Sequence, residues 1–186
     1  MTQRRVGVAL VHHPILGRDG SILTTAVTNL DIHDISRSAC AFGATALYIV
    51  HPIEAQKELV RRVKEHWTTG SGERRIPDRA RALALVELAS TLEEAERHLG
   101  DGQVAQRWTT AARASGSVST YAEGRALIEQ DGPPVMLVFG TGWGLVKSIV
   151  EQAHVRLEPI RGVGDWNHLS VRAAAAITLD RLLAPR

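Results

Sequence analysis

Phe139-Gly140-Thr141-Gly142-Trp143-Gly144-Leu145 closes an apolar run that starts at Pro134, and its reading decides the fold. Six successive apolar residues without a helical period read as a strand buried on both faces, the situation of a parallel sheet covered by helices. Glycines at the carboxyl end of such a strand let another group approach the main chain closely. A second strand is expected over Val155–Ile160, in a stretch that reads Glu158-Pro159-Ile160-Arg161-Gly162 at its end. Asp165-Trp166-Asn167-His168-Leu169-Ser170-Val171-Arg172 then leads into an Ala-rich helix over Ala173–Leu183. Two glycine-bearing strand ends therefore feed a polar turn that opens a helix.

Outward from this segment, strands and helices alternate. Val6–His12 reads as a first strand, followed by the turn Gly17-Arg18-Asp19-Gly20. Thr28 or Asn29 can cap a helix that runs to about Phe42 and stops at Gly43. Ala46–Val50 reads as a buried strand, and Glu54–Trp67 as an amphipathic helix with Leu59, Val63 and Trp67 on its inner face. Thr68–Ile76 is expected to be a flexible loop, and Pro77 suits the first turn of a short helix. A strand is expected within Leu83–Leu88, a helix over Leu92–Leu99 behind the pair Thr91/Glu94, and a strand over Val104–Thr110. Thr120 with Glu123 signals a capping box for a helix reaching Gln130; strand Pro134–Gly140 and helix Leu145–Ala153 follow. This order predicts an α/β protein, a parallel sheet flanked by helices, and no linker divides residues 1–186 into more than one domain.

Composition sets wider bounds. A chain of 186 residues is long enough to bury a core. Net charge is only +2, which permits a nucleic-acid partner without requiring one. Lys57, Lys64 and Lys147 are the only lysines, so arginine carries most of the positive charge and its guanidinium fork suits phosphates. Cys40 stands alone, excluding an internal disulfide and favouring a reducing cytoplasmic setting. No apolar run reaches the ~20 residues of a membrane span.

In open α/β sheets, ligands bind beyond the carboxyl ends of the strands. Three such ends are rich in glycine, hydroxyls or small residues: Thr109-Thr110-Ala111-Ala112-Arg113, Gly140–Gly144 and Ile160–Gly164. Gly140-x-Gly142-x-Gly144 with Glu158 downstream allows a Rossmann-type nucleotide site as one reading. Against it, that fingerprint opens a nucleotide-binding unit, whereas here few residues follow Glu158. His12, His13, His33 and His51 lack the spacing of a zinc motif, so no metal is expected. Neither a Gly-x-Ser-x-Gly elbow nor a Walker loop is present.

Several stretches together resemble a known family: Ala9-Leu10-Val11-His12-His13-Pro14, Val27-Thr28-Asn29-Leu30-Asp31-Ile32-His33-Asp34-Ile35-Ser36-Arg37, His66-Trp67-Thr68, Phe139–Leu145, and Glu158–Gly162 with Asn167–Ala176. The chain is similar to the SPOUT superfamily of knotted RNA methyltransferases and, within it, to the small bacterial SAM-dependent RNA methyltransferases. These are related to the tRNA guanine-N1 and ribose-2'-O methyltransferases. The resemblance implies a C-terminal deep trefoil knot and a homodimer joined through the knot region. It also implies S-adenosylmethionine as cofactor and tRNA or rRNA as substrate. Carried over by motif, the cofactor residues are Thr109, Thr110 and Ala111; Phe139, Gly140, Thr141, Gly142 and Gly144; and Ile160, Arg161, Gly162, Asn167, His168, Leu169 and Ser170. Arg37 corresponds to the catalytic or RNA-contacting arginine of the first motif. Asp31 stands where the ribose-methylating branch has asparagine, with Asn29 two residues earlier as a further catalytic candidate, and the guanine-N1 branch implies that an acid at Asp31, Asp34 or Asp165 can serve as general base for a ring nitrogen. Each has a plainer alternative. Asp31 and Asp34 suit the first turn of a helix electrostatically, and Arg37 can pair with either. Asn167 or His168 can cap the last helix, and Trp67 can be core. Arg74 and Arg75 are candidates for RNA backbone contact. A non-catalytic RNA-binding or partner-docking module with the same knot is the alternative function.

Overall fold

A computed structural model describes residues 4–113, 116–164 and 166–185. Six strands form one parallel sheet: β1 (Val6–Val11), β4 (Ala46–Val50), β5 (Val86–Ala89), β6 (Gln106–Thr109), β7 (Val135–Gly140) and β8 (Val155–Arg156). Their spatial order is β5-β4-β1-β7-β6-β8. A two-stranded antiparallel hairpin, β2 (Ile15–Leu16) and β3 (Ile22–Leu23), follows β1. The helices are α1 (Asn29–Ala41), α2 (Glu54–Thr68), α3 (Ser71–Arg75), α4 (Pro77–Ala84), α5 (Leu92–Gly100), α6 (Tyr121–Ile128), α7 (Lys147–Glu151) and α8 (Val171–Leu183). Among the described residues, no helix is long and apolar enough to cross a membrane.

Strand pleating divides the core between the two faces. Val8, Leu10, Leu137 and Phe139 face one cluster with Ile32 and Ile35 of α1 and Leu179 of α8. Ala9, Val11, Met136 and Val138 face the other, with Ala95 and Leu99 of α5 and Ile149 of α7. Each large side chain so buried contributes roughly 1.5–3 kcal/mol, which explains why these runs carry no polar residue. On the second face Arg107 of β6 is buried against Glu96, 2.6 Å away, and also donates to Glu93 and Gln152. That guanidinium ties β6 to α5 and to the end of α7.

Caps fix the helix starts as the spacing predicts. The Thr28 hydroxyl accepts the Asp31 amide and opens α1, and Gly43, at φ 77, turns the chain out of it. Thr120 and Glu123 form a reciprocal capping box at α6. At α5 the box is incomplete: Thr91 caps, but the Glu94 carboxylate takes the Ser90 amide.

Four expectations are corrected. The inner face of α2 uses Val60 rather than Leu59, which is 42% exposed, because the helix lies along the β5 edge where Lys64 donates to Val86. Thr68–Ile76 is not a loop throughout. Residues Ser71–Arg75 form a helical turn because Gly72 fits beneath Trp67, where an added Cβ would lie 2.6 Å from the ring. Leu83 belongs to α4, and the strand starts only at Val86, where it meets Leu47. The final strand shortens to Val155–Arg156. Leu157 still donates to Thr109, but Pro159 has no amide to offer and the chain leaves the sheet.

Candidate functional site

β1 and β7 lie side by side, yet their following helices leave on opposite faces, α1 toward one core cluster and α7 toward the other. This is a topological switch point, where the diverging connections open a crevice at the carboxyl edge. The loops after β6, β7 and β8, neighbouring parallel strands, all leave from that edge.

The loop after β7 is stapled in place. Leu16 of β2 donates to the Gly144 carbonyl at 2.9 Å, Trp143 donates to the Leu16 carbonyl at 3.2 Å, and Leu145 bridges Ile15. Gly140 is required by close approach, since a Cβ there would lie 2.8 Å from the Leu145 nitrogen. Gly142, at φ 56, sits against Ile15. Gly144, at φ 107, has nothing within 4 Å of the absent Cβ, so its flank faces open space. Phe139 is buried in the core, leaving only its backbone for a ligand. Thr141 donates to the Val11 carbonyl and shares a hydrogen bond with Thr25.

Behind Thr141 lies a buried polar chain that the sequence did not reveal. Thr25 bonds His12 Nδ1 at 3.0 Å, and its carbonyl meets His51 Nε2 at 3.0 Å. His12 is fully buried, with Nε2 unpartnered among the described residues. Burial, reinforced by nearby His51, lowers its pKa from 6.5 to about 4, and burial lowers that of His51 as well. Both imidazoles are therefore neutral near pH 7. Among the described residues no group of three or more His, Cys, Asp or Glu side chains is placed to hold a metal ion.

The loops after β6 and β8 are joined by Asn167, whose side-chain amide donates to the Ala112 carbonyl at 2.6 Å. Thr109 is buried and its carbonyl accepts Leu157, so it braces the sheet. By contrast, among the described residues no hydrogen bond reaches Thr110, Ala111 or residues 160–164. Backbone groups this numerous and this exposed are available to a ligand. Ser170, rather than Asn167 or His168, caps α8 through the Ala173 amide. His168 instead packs edge-on to Trp166, and Leu169 is exposed. The Glu158 carboxylate accepts the Tyr121 amide at α6, which removes the ribose ligand of the Rossmann reading.

The first-motif residues fall into two groups. Asp31, only 6% exposed, accepts the Thr28 hydroxyl at 2.6 Å and the Arg172 guanidinium at 2.7 Å. Arg172 also reaches Asp34 at 3.3 Å. Asp31 thus joins α1 to α8 across 141 positions of sequence. Arg37 is exposed, and no partner is recorded for it among the described residues. It lines an open cleft of about 720 Å³ with Asp34, Arg81, Phe42, Arg172 and Ala173. Asn29 is exposed on the first turn of α1, and Asp165 lies outside the described residues. Trp67 is sandwiched by Arg79, 4.4 Å over its ring, and by edge-on His33 and His66, so it serves packing.

The open Gly144 flank and the unbonded 160–164 backbone suit a nucleoside cofactor, whose adenine and ribose are recognised by main-chain groups and a few polar side chains. Among solved structures, TrmJ of Z. mobilis superposes with a TM-score of 0.62 at 19% identity, covering 95% of this chain and 67% of that one. The SpoU methyltransferase AviRb of Streptomyces viridochromogenes, solved in complex with AdoMet, gives 0.59 at 15% identity, with 98% and 58% covered. These likenesses show the fold to be that of the SPOUT methylases. By sequence, the tRNA (guanine-N(1)-)-methyltransferase of Nitratidesulfovibrio vulgaris is 42% identical over 184 residues. The match takes in 97% of this chain but 42% of that enzyme, so the chain spans less than half the length of this relative. An uncharacterised protein of Aquifex aeolicus is 38% identical over 186 residues, with 99% and 91% covered. Residues 5–184 match the family described as SAM-dependent RNA methyltransferase, and the chain belongs to that family.

Proposed function

We propose that residues 1–186 act as one domain that transfers a methyl group from S-adenosylmethionine to a nucleotide of tRNA or rRNA in the cytoplasm. The observation that carries this is that three loops leave the same edge of the parallel sheet, one stapled to β2 and the other two joined by Asn167, with the 160–164 backbone unbonded. In this reading Thr110, Ala111, Gly144 and residues 160–162 hold the cofactor through main-chain groups, and Asn167 keeps the loops together. The sulfonium, when bound, supplies a methyl already activated for transfer. The protein's part is then alignment of the acceptor and removal of its proton. Arg37 has a free guanidinium to orient the acceptor or its phosphate. Asp34 is better placed than Asp31 to take the proton: both pair with Arg172, but Asp34 is exposed whereas Asp31 is buried and also accepts the Thr28 hydroxyl. The tRNA preference follows from the names of the longer relatives. The trefoil knot, formed where residues 157–170 pass the loop after β6, is part of the same proposal and is supported by the Asn167–Ala112 bond. So is a homodimer through α1 and α8, whose small residues Ala173 and Ala176 line the open cleft beside Arg37.

The test is transfer of labelled methyl from S-adenosylmethionine to total tRNA and rRNA. Arg37→Ala is expected to retain cofactor affinity and lose transfer by roughly 100-fold or more. Undiminished transfer by this variant removes Arg37 from the site, and binding of RNA without transfer by the intact protein favours the docking-module alternative.

A further inference from the structure

Trp143 combines a fixed backbone with a free side chain. Its amide donates to Leu16, the next residue's carbonyl accepts Leu16, and the Gly144 amide closes a turn onto the Thr141 carbonyl. The flanking glycines take left-handed backbone angles, φ 56 and 107, that hold the turn in this shape. Yet the indole is 67% exposed at the rim of the switch-point crevice. Large aromatic side chains are seldom left so open on a rigid turn without something to cover them.

Exposed charge in the loops at the same edge of the sheet indicates what covers it. Arg18 on the hairpin, Arg113 after β6 and Arg161 after β8 are exposed, and no partner is recorded for any of them among the described residues. An exposed indole on a sheet edge that also carries exposed guanidinium groups suits a base stacked on the ring with its phosphates held alongside. Ile22 and Leu23, exposed on the paired hairpin, extend the apolar rim. Trp166 is also exposed, at 78%, but belongs to the loop with few bonds, so ordering it costs more than using a ring already fixed.

We infer that Trp143 is a stacking platform for an unpaired nucleobase of the RNA substrate, with Arg18, Arg113 and Arg161 taking the adjoining phosphates. This rests on the RNA-directed reading of the family, and it assigns the loop after β7 a second task, presenting substrate beside the cofactor. An unpaired base is required because the face of a paired and stacked one is inaccessible.

Full-length protein would be titrated with an unstructured 12-nucleotide RNA and with a blunt RNA duplex, following tryptophan quenching and anisotropy across a salt series. Trp143→Ala is expected to weaken single-strand binding roughly 5- to 150-fold, with unchanged duplex binding and an unchanged salt slope. Trp143→Phe restores most of the affinity, and Arg161→Ala instead lowers the slope by about one. Equal single-strand affinity for Trp143→Ala and the intact protein overturns the platform while leaving the RNA reading in place. No RNA binding by the folded, cofactor-binding protein overturns both. A melting midpoint unchanged by the substitution keeps loss of binding separate from loss of fold.

Discussion

The loops after β7 and after β8, which the proposed function assigns to one cofactor site, are built in opposite ways. The first is bonded to β2 on both sides of Trp143, and Gly140 and Gly142 are accounted for by neighbouring atoms of the protein itself. The second carries residues 160–164 with no hydrogen bond among the described residues, and is held by Asn167 at one point and by the Ser170 cap at its end. Glycine alone therefore does not mark a ligand contact. In the stapled loop Gly140 and Gly142 mark close packing, whereas Gly144 and the open loop leave room that a ligand can take. In the proposed site one loop is fixed by the protein and the other would be ordered on binding, which lowers the ordering cost without abolishing it.

The comparison breaks most readily at its stapled side. His12 stands behind that loop through Thr25, neutral and buried. Because its folded pKa lies near 4 and its unfolded value near 6.5, the unfolded chain binds more protons between these values. Stability is therefore full above pH 6.5 and falls as pH drops toward 4, by about 3 kcal/mol at ~1.4 kcal/mol per pH unit. Urea unfolding measured across this range should show the slope, and His12→Gln should remove its larger part; a flat profile in the parent protein would mean the imidazole is not buried as described. Gly140→Ala is the next largest effect, about 2 kcal/mol, because the new Cβ meets backbone that cannot rotate away. It should lower the melting midpoint, and an unchanged midpoint would show the loop to be loose. Asn167→Ala should do the reverse. Losing one exposed hydrogen bond weakens S-adenosylmethionine binding about fivefold while hardly moving the midpoint. A large stability loss there would make the open loop structural after all.

The same contrast explains what could be read from the chain. The parallel α/β order follows from the apolar runs at Val6–Val11, Ala46–Val50 and Val135–Gly140, and the caps at Thr28 and Thr120 follow from local hydrogen bonding, so both were legible. Choices set by distant partners were not. Val60 replaces Leu59 because of where β5 lies, and Ser71–Arg75 coils because Trp67 is overhead. Within the site, the motif pointed to the three loops but not to the division of labour among their glycines. Nothing near Asp31 in sequence announces Arg172, and His12 and His51 looked like stray histidines until Thr25 joined them. Trp143 was visible only as part of a glycine motif, since exposure on a fixed turn is a property of the packed molecule.

If the open loop completes a cofactor site, calorimetric titration with S-adenosylmethionine registers it. Among the described residues Gly162 has only the Trp166 carbonyl near its missing Cβ, at 3.4 Å, so a large side chain can enter without disturbing the fold. The intact protein should bind about one cofactor per chain, and Gly162→Trp should lose at least roughly 100-fold in affinity at an unchanged melting midpoint. Undiminished binding by Gly162→Trp, or no binding by the well-folded parent, would contradict the account.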